Sequence, residues 1–315
     1  MFRARFAMVA LVSLAAGCFQ FSAKSVQSIS VTYPLAAEGA LEVSSFNGRI
    51  EVRPGDGPGV RLERTTTCRA RTMEEAVAGL LLVVPEVRST EAFLSFRVDD
   101  PSSWSHRFRV DLTAWVPETC TVTLRTSNGA IEVDGLGGDI EARTSNGRIS
   151  VRESGRSRVK LKTSNGDIVA ERLTGAVEAR TGNGRIVLRD CPGRIQAASS
   201  NGVVEIDAGR GVDPGGIAVE TSNGRVRCLL PAAFSGEVDA RTSNGSVRCE
   251  FPVEVQHGEK HRGRLLGRIG RGGGPAVRIT TSNGPVEIHR SGAPAEPPEP
   301  KMEQEIGAGG GTRKV

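Results

Sequence analysis

One dipeptide constrains this chain more than any other feature. Asn-Gly occurs as the hinge of a single pattern at Asn47, Asn128, Asn146, Asn165, Asn183, Asn201, Asn223, Asn244 and Asn283. From Asn128 to Asn201 the spacings are 18, 19, 18 and 18 residues, and they then widen to 22 and 21. A fixed period of this length marks stacked supersecondary units, each of which buries its apolar face only against its neighbours.

Each copy carries a parity. Two, four and six residues before Asn the side chains are small or apolar, as in Ile140, Ala142 and Thr144, or Val159, Leu161 and Thr163. Three and five residues after it come Ile149 and Val151, Ile168 and Ala170, Ile186 and Leu188, Val204 and Ile206. Polar residues such as Glu141, Arg143, Lys160 and Lys162 alternate with them. Period two on both sides of the turn predicts two β-strands with one buried face each. A second turn precedes each copy, with Gly at 138, 175, 193 and 236 allowing a tight reversal.

Asn-Gly is also a strong hairpin signal, so parity alone fits an antiparallel meander as well as a solenoid. Burial separates them. A meander of so many strands must close into a barrel, and a membrane barrel needs strands of about 9–11 residues with aromatic girdles. Aromatics make up only 4% of this chain, and its strands are shorter. A solenoid folds the two arms of each coil over one another and stacks identical positions. From the Asn128 copy onward Thr recurs two before Asn at Thr126, Thr144, Thr163, Thr181, Thr221, Thr242 and Thr281, with Ser199 as the one replacement. Such a column is what stacking at about 4.8 Å per coil favours. The expected fold is therefore all-β: a β-solenoid of two-strand coils, about 18–22 residues each, with Asn-Gly turns.

The first 17 residues read as an export signal: Arg3 and Arg5, then an apolar stretch from Phe6 to Ala16 that is too short to span a bilayer. It ends in Leu14-Ala15-Ala16-Gly17-Cys18, which resembles a bacterial lipobox. The resemblance implies that Cys18 becomes the lipidated first residue of the mature chain. Ala15 stands where such signals carry a large apolar residue, and the other reading is an ordinary cleaved signal with an incidental Cys. The net charge of +5 falls to +3 without Arg3 and Arg5, too small to argue for nucleic acid.

Residues 18–34 read as a polar tether and 35–119 as a β-rich N-terminal cap that holds the first repeat. The cap contains a short helix at Met73 to Leu80 and strand-like runs at 81–87, 93–98 and 108–115. It would cover the open strand edge of the solenoid. Residues 120–290 read as the repeat solenoid, with 266–270 as a degenerate coil. Residues 291–315, rich in Pro, Glu and Gly, read as a disordered tail.

The Thr-Ser-Asn-Gly copies, the early Phe46-Asn47-Gly48-Arg49-Ile50-Glu51-Val52 copy and the Gly267-Arg268-Ile269-Gly270 segment before the last copy together resemble the bacterial "putative adhesin" family. The likeness covers roughly residues 35–290. It implies a β-solenoid outside the cytoplasm, in a domain of unknown function, and transfers no binding residues.

Four features are candidates for chemistry. Cys228 and Cys249 both lie five after an Asn in successive copies, so they either form a disulfide between stacked coils or remain two buried thiols. Arg125, Arg143, Lys162 and Arg180 lie three before successive Asn residues and would stack into an outward cationic stripe for acidic polysaccharide or lipid head groups. Neighbouring Glu141 and Glu178 could neutralise that stripe into an ordinary solvated face. His257 and His261 flank Gly-Glu-Lys in a segment that reads as loop, which is not a zinc-site pattern. The outward acids Glu132, Glu205 and Glu287 share a column but are separated by several coils, whereas glycoside chemistry needs paired carboxylates. No cofactor, metal or catalytic residue is expected.

The reading that follows is a non-enzymatic, lipid-anchored cell-envelope protein, adhesin or scaffold, most simply at the outer membrane and facing either periplasm or cell surface. Its partners would be the membrane and a polysaccharide or another envelope protein. A carbohydrate-active β-helix enzyme and an envelope-stress accessory protein are the alternatives.

Overall fold

The computed structural model describes residues 7–9, 23–101, 107–155, 157–271 and 273–291, with the side chains of 7–9 and 256–261 also outside the description. Cys18, the side chains of His257 and His261, and all of the tail beyond Ser291 therefore lie outside the described residues.

The chain is a parallel β-solenoid. The nine arms before Asn build one sheet and the nine arms after Asn-Gly build the other, and strands added at the ends bring each sheet to 13 strands among the described residues. Ile140–Asn146 pairs in parallel with Thr121–Asn128 on one side and Val159–Asn165 on the other, Asn opposite Asn. Ile149–Arg152 does the same in the second sheet, between Ile131–Asp134 and Ile168–Glu171. The alternation read from sequence points Val, Ile, Leu and Ala from both sheets into one continuous core. Fully burying each of the larger ones contributes about 1.5–3 kcal/mol.

The turn residues recur because of stacking. From Asn146 on, each Asn side-chain amide donates to the Asn oxygen of an adjacent coil, as in Asn146 to Asn128 at 2.9 Å, Asn165 to Asn146 at 2.9 Å and Asn183 to Asn165 at 2.8 Å, while the Asn47 amide donates to the Phe108 carbonyl at 2.6 Å. The turn backbone continues the ladder, with Gly147 N–H donating to Asn165 C=O at 3.2 Å. Buried Thr hydroxyls of the column donate to the Gly carbonyl of the adjacent coil, as in Thr163 to Gly147 at 3.1 Å and Thr181 to Gly166 at 3.0 Å, with Thr221 the exception. Val could fill the same volume there, but it would leave this carbonyl without the hydroxyl donor. Gly166 sits so close to the next coil that a Cβ would overlap the Gly147 carbonyl oxygen. It has no positive φ, so the close approach, rather than a left-handed turn, requires glycine there.

Chain order is not stacking order. The last arms, Ala276–Asn283 and Val286–Arg290, insert between the coil of Asn223 and the coil of Asn244. The 39-residue gap before Asn283 is an excursion: Val253–His261 and Arg264–Ile269 form an antiparallel hairpin, which pairs antiparallel with Gly236–Asn244. Residues 266–269 therefore belong to the inner strand of that hairpin, between Val253–His261 and Gly236–Asn244, and do not form a degenerate coil. His257 and His261 lie on a strand rather than in a loop.

At the other end Phe108–Val116 adds in parallel to Ile50–Pro54, followed by the antiparallel strands Val60–Ala70 and Ala23–Tyr33. The expected tether at 18–34 is thus an 11-residue strand over most of its length. Its alternation is weak because most of its residues are only half-buried. The helix Met73–Leu80 forms where the sequence placed it, capped by the Thr72 hydroxyl accepting from Glu75 N–H at 3.2 Å, with Glu74 and Glu75 at the positive end of its dipole. Of the run 81–87, only the part from Glu86 is strand: Glu86–Ser89 pairs with Phe93–Arg97 at the edge of the first sheet.

Candidate functional site

The outward face of the first sheet is where repetition places chemistry. Inward Ala142, Leu161 and Ala179 fix the alternate residues outward, so Arg125, Arg143, Lys162 and Arg180 fall into register on four adjacent strands. Neighbours in such a column are about 4.8 Å apart, where like charges repel. Three of the four have an acidic partner: Arg125–Glu42 at 2.5 Å, Arg143–Glu141 at 2.6 Å and Arg180–Glu178 at 2.9 Å. These pairs are exposed, so each contributes at most about 1 kcal/mol.

Lys162 differs. The residue two before it is Lys160, at the column position that Glu141 and Glu178 occupy on the flanking strands. Neither lysine has an ion pair among the described residues. Two ammonium groups thus interrupt an otherwise neutralised face. Each opens on a shallow groove. Lys162 lines one of about 300 Å³ with Ser127, Ser145 and Ser164, while Lys160 lines one of about 500 Å³ in which Arg158 and Arg194 face the carboxylates of Asp139, Glu141 and Glu178. A cation beside rows of hydroxyls, as at Lys162, suits an extended anionic polymer. The column ends where Ala198 and Glu220 replace the bases. The sequence pattern marked Lys162 but passed over Lys160; the available signal was the change of sign between Glu141, Lys160 and Glu178.

On the second sheet the outward acids stand among bases. Glu132 stands beside Glu51 and within 3.7 Å of Arg49. Arg227 separates Glu205 from Glu287. The three outward acids are therefore dispersed and charge-balanced.

The disulfide reading of Cys228 and Cys249 fails on stacking order. Ile288 is the register partner of both, so one whole strand lies between them. Two strand spacings, about 10 Å, exceed the roughly 7 Å limit for a bridge. Neither is disulfide-bonded. Burial pushes the Cys228 thiol up to about 12 and those of Cys120 and Cys191 up to about 11. They behave as small hydrophobes of the core.

Among the described residues no group of His, Cys, Asp and Glu could hold a metal ion, and no helix is long and apolar enough to cross a membrane. Solved structures similar to this chain include a putative cell adhesion protein from Clostridium sporogenes at 12% identity, covering 85% of this chain and 98% of that one with a TM-score of 0.26. Others are a putative adhesin from Bacteroides fragilis (12% identity, 84% and 96% covered, TM-score 0.43) and one from Parabacteroides distasonis (12%, 84% and 96%, 0.28). Among curated proteins none matches. The family profile described as Toastrack DUF4097 matches residues 17–289, and the chain belongs to that family.

Proposed function

We propose that this is a non-enzymatic, lipid-anchored protein of the cell envelope that presents its first sheet as a rigid binding face for an anionic polysaccharide or another envelope protein. The observation that carries the reading is the in-register column Arg125, Arg143, Lys162 and Arg180, in which Lys162 has no ion pair among the described residues and lies beside rows of hydroxyls. A stack braced by side-chain ladders holds that spacing fixed, which lowers the ordering cost of binding a repetitive ligand. The anchor rests on the basic start, the short apolar stretch and the small residues before Cys18.

Two experiments test it. Cys18→Ala is expected to move the protein from the membrane to the soluble fraction; an unchanged membrane fraction removes the anchor. Protease shaving of intact cells, with a lysed-cell control, separates the two roles. Digestion in intact cells favours adhesion, and protection until lysis favours a periplasmic scaffold.

A further inference from the structure

Among the described residues the exposed large hydrophobics are not scattered. They are Val77, Leu81, Leu82, Val84 and Phe93, all in the N-terminal cap. The helix Met73–Leu80 and the turn after it run Val77-Ala-Gly-Leu-Leu-Leu-Val-Val84 without one charged residue. Its inner side is accounted for: Ala76, Gly79 and Leu80 are buried, and Gly79 lies directly over the Cys68 sulfur and the Phe108 ring. The outer side is not. Val77 and Leu81, one turn apart, are 49% and 75% exposed, and Leu82 and Val84 are 52% and 73% exposed.

This apolar surface is held in place rather than frayed. Val83, between the two outward residues, is buried, and its carbonyl accepts from the buried Arg64 guanidinium at 3.1 Å. Fixing Val83 inward holds Leu82 and Val84 outward.

Where the chain enters the fold identifies the occupant. The strand Ala23–Tyr33 begins with Ala23 opposite Ala70, three positions before the helix starts. Cys18 lies five positions before Ala23, at most about 17 Å of extended chain. The helix itself is about 12 Å long. A lipid on Cys18 therefore brings the bilayer surface within reach of Val77, Leu81, Leu82 and Val84. We propose that this patch is a membrane-docking face, inserted among the lipids beside the anchor, which fixes the orientation of the rod on the bilayer. The inference rests on lipidation of Cys18.

The test uses the full processed chain returned to vesicles of phosphatidylethanolamine and phosphatidylglycerol, with brominated lipid as quencher. Wild type, Leu81→Trp, Cys18→Ala and Cys18→Ala/Leu81→Trp are compared by flotation and by fluorescence. Leu81 is exposed, so the indole is tolerated there. The added indole is expected to be quenched about twofold or more beyond the wild-type signal. Flotation of Leu81→Trp without added quenching overturns the docking face and leaves the anchor standing. Flotation of Cys18→Ala/Leu81→Trp with quenching overturns the anchor and leaves the docking face standing. Failure of the wild type to float overturns both. A blue-shifted but unquenched indole in a dimeric species assigns the patch to a second copy and also overturns the proposal.

Discussion

Asn283 donates its side-chain amide to Asn223 at 2.7 Å, across 60 positions of sequence, and accepts from Asn244 at 2.9 Å. One residue thus joins two coils that the chain visits long before it. Asn283→Ala removes both bonds and is expected to cost about 1–2 kcal/mol, read as a lower urea midpoint. Asn244→Ala removes one ladder bond at the end of the column and should cost about half as much. Equal, negligible losses would show that water replaces the ladder without penalty.

Glycine in the turns is a packing requirement. Gly166→Ala drives a methyl into the Gly147 carbonyl oxygen, so the coil spacing must give way. A loss of about 1–3 kcal/mol is expected. Gly211 has open space around its Cβ position and no positive φ. Gly211→Ala should be neutral, or stabilising by up to about 1 kcal/mol through the unfolded chain. Thermal unfolding of the two variants side by side distinguishes stacking from mere turn flexibility.

The buried thiols predict a pH dependence. Desolvation holds Cys120 and Cys191 at about 11 and Cys228 at about 12, against an ordinary 9.0. A raised pKa in the folded state means that the unfolded chain releases its protons first as pH rises. The thiols' stability contribution is therefore complete below about pH 9 and declines between pH 9 and the folded values. Alkylation at pH 8 should label half-buried Cys249 at least about tenfold faster than Cys228. A Cys228–Cys249 disulfide peptide in the non-reduced digest would contradict the stacking order.

The unneutralised lysines predict salt-sensitive binding. Lys160→Glu restores the acid–base pattern of the flanking strands, and Lys162→Glu removes the remaining ammonium of the pair, both without touching the core. Retention on an immobilised acidic polysaccharide should fall about tenfold or more at low salt, with the unfolding midpoint unchanged. Unchanged retention would move the binding face elsewhere.

Much of the fold was legible because a solenoid writes its geometry into a period. The Asn-Gly spacing, the Thr column and the inward parity of residues such as Leu161 and Ile168 each report the same stacking, and the helix start was readable from Thr72 and Glu75. Two things were not readable. Stacking order is a long-range choice, and nothing local at Asn283 tells it to pair with Asn223; the Cys228–Cys249 reading fell with that assumption. The strand Ala23–Tyr33 was hidden because its pairing partner, Val60–Ala70, lies outside the repeat. On the candidate face, the four-base column could be read from spacing, but the ion pairs that silence three of its members depend on side-chain reach across and along strands.

The central claim is that the rod is tied to a membrane through its first mature residue. Mass spectrometry of the N-terminal peptide from protein extracted out of native membranes tests it directly. The account predicts a peptide that begins at Cys18 and carries the mass of a lipid modification. An unmodified Cys18, or a mature chain that begins elsewhere, would contradict it.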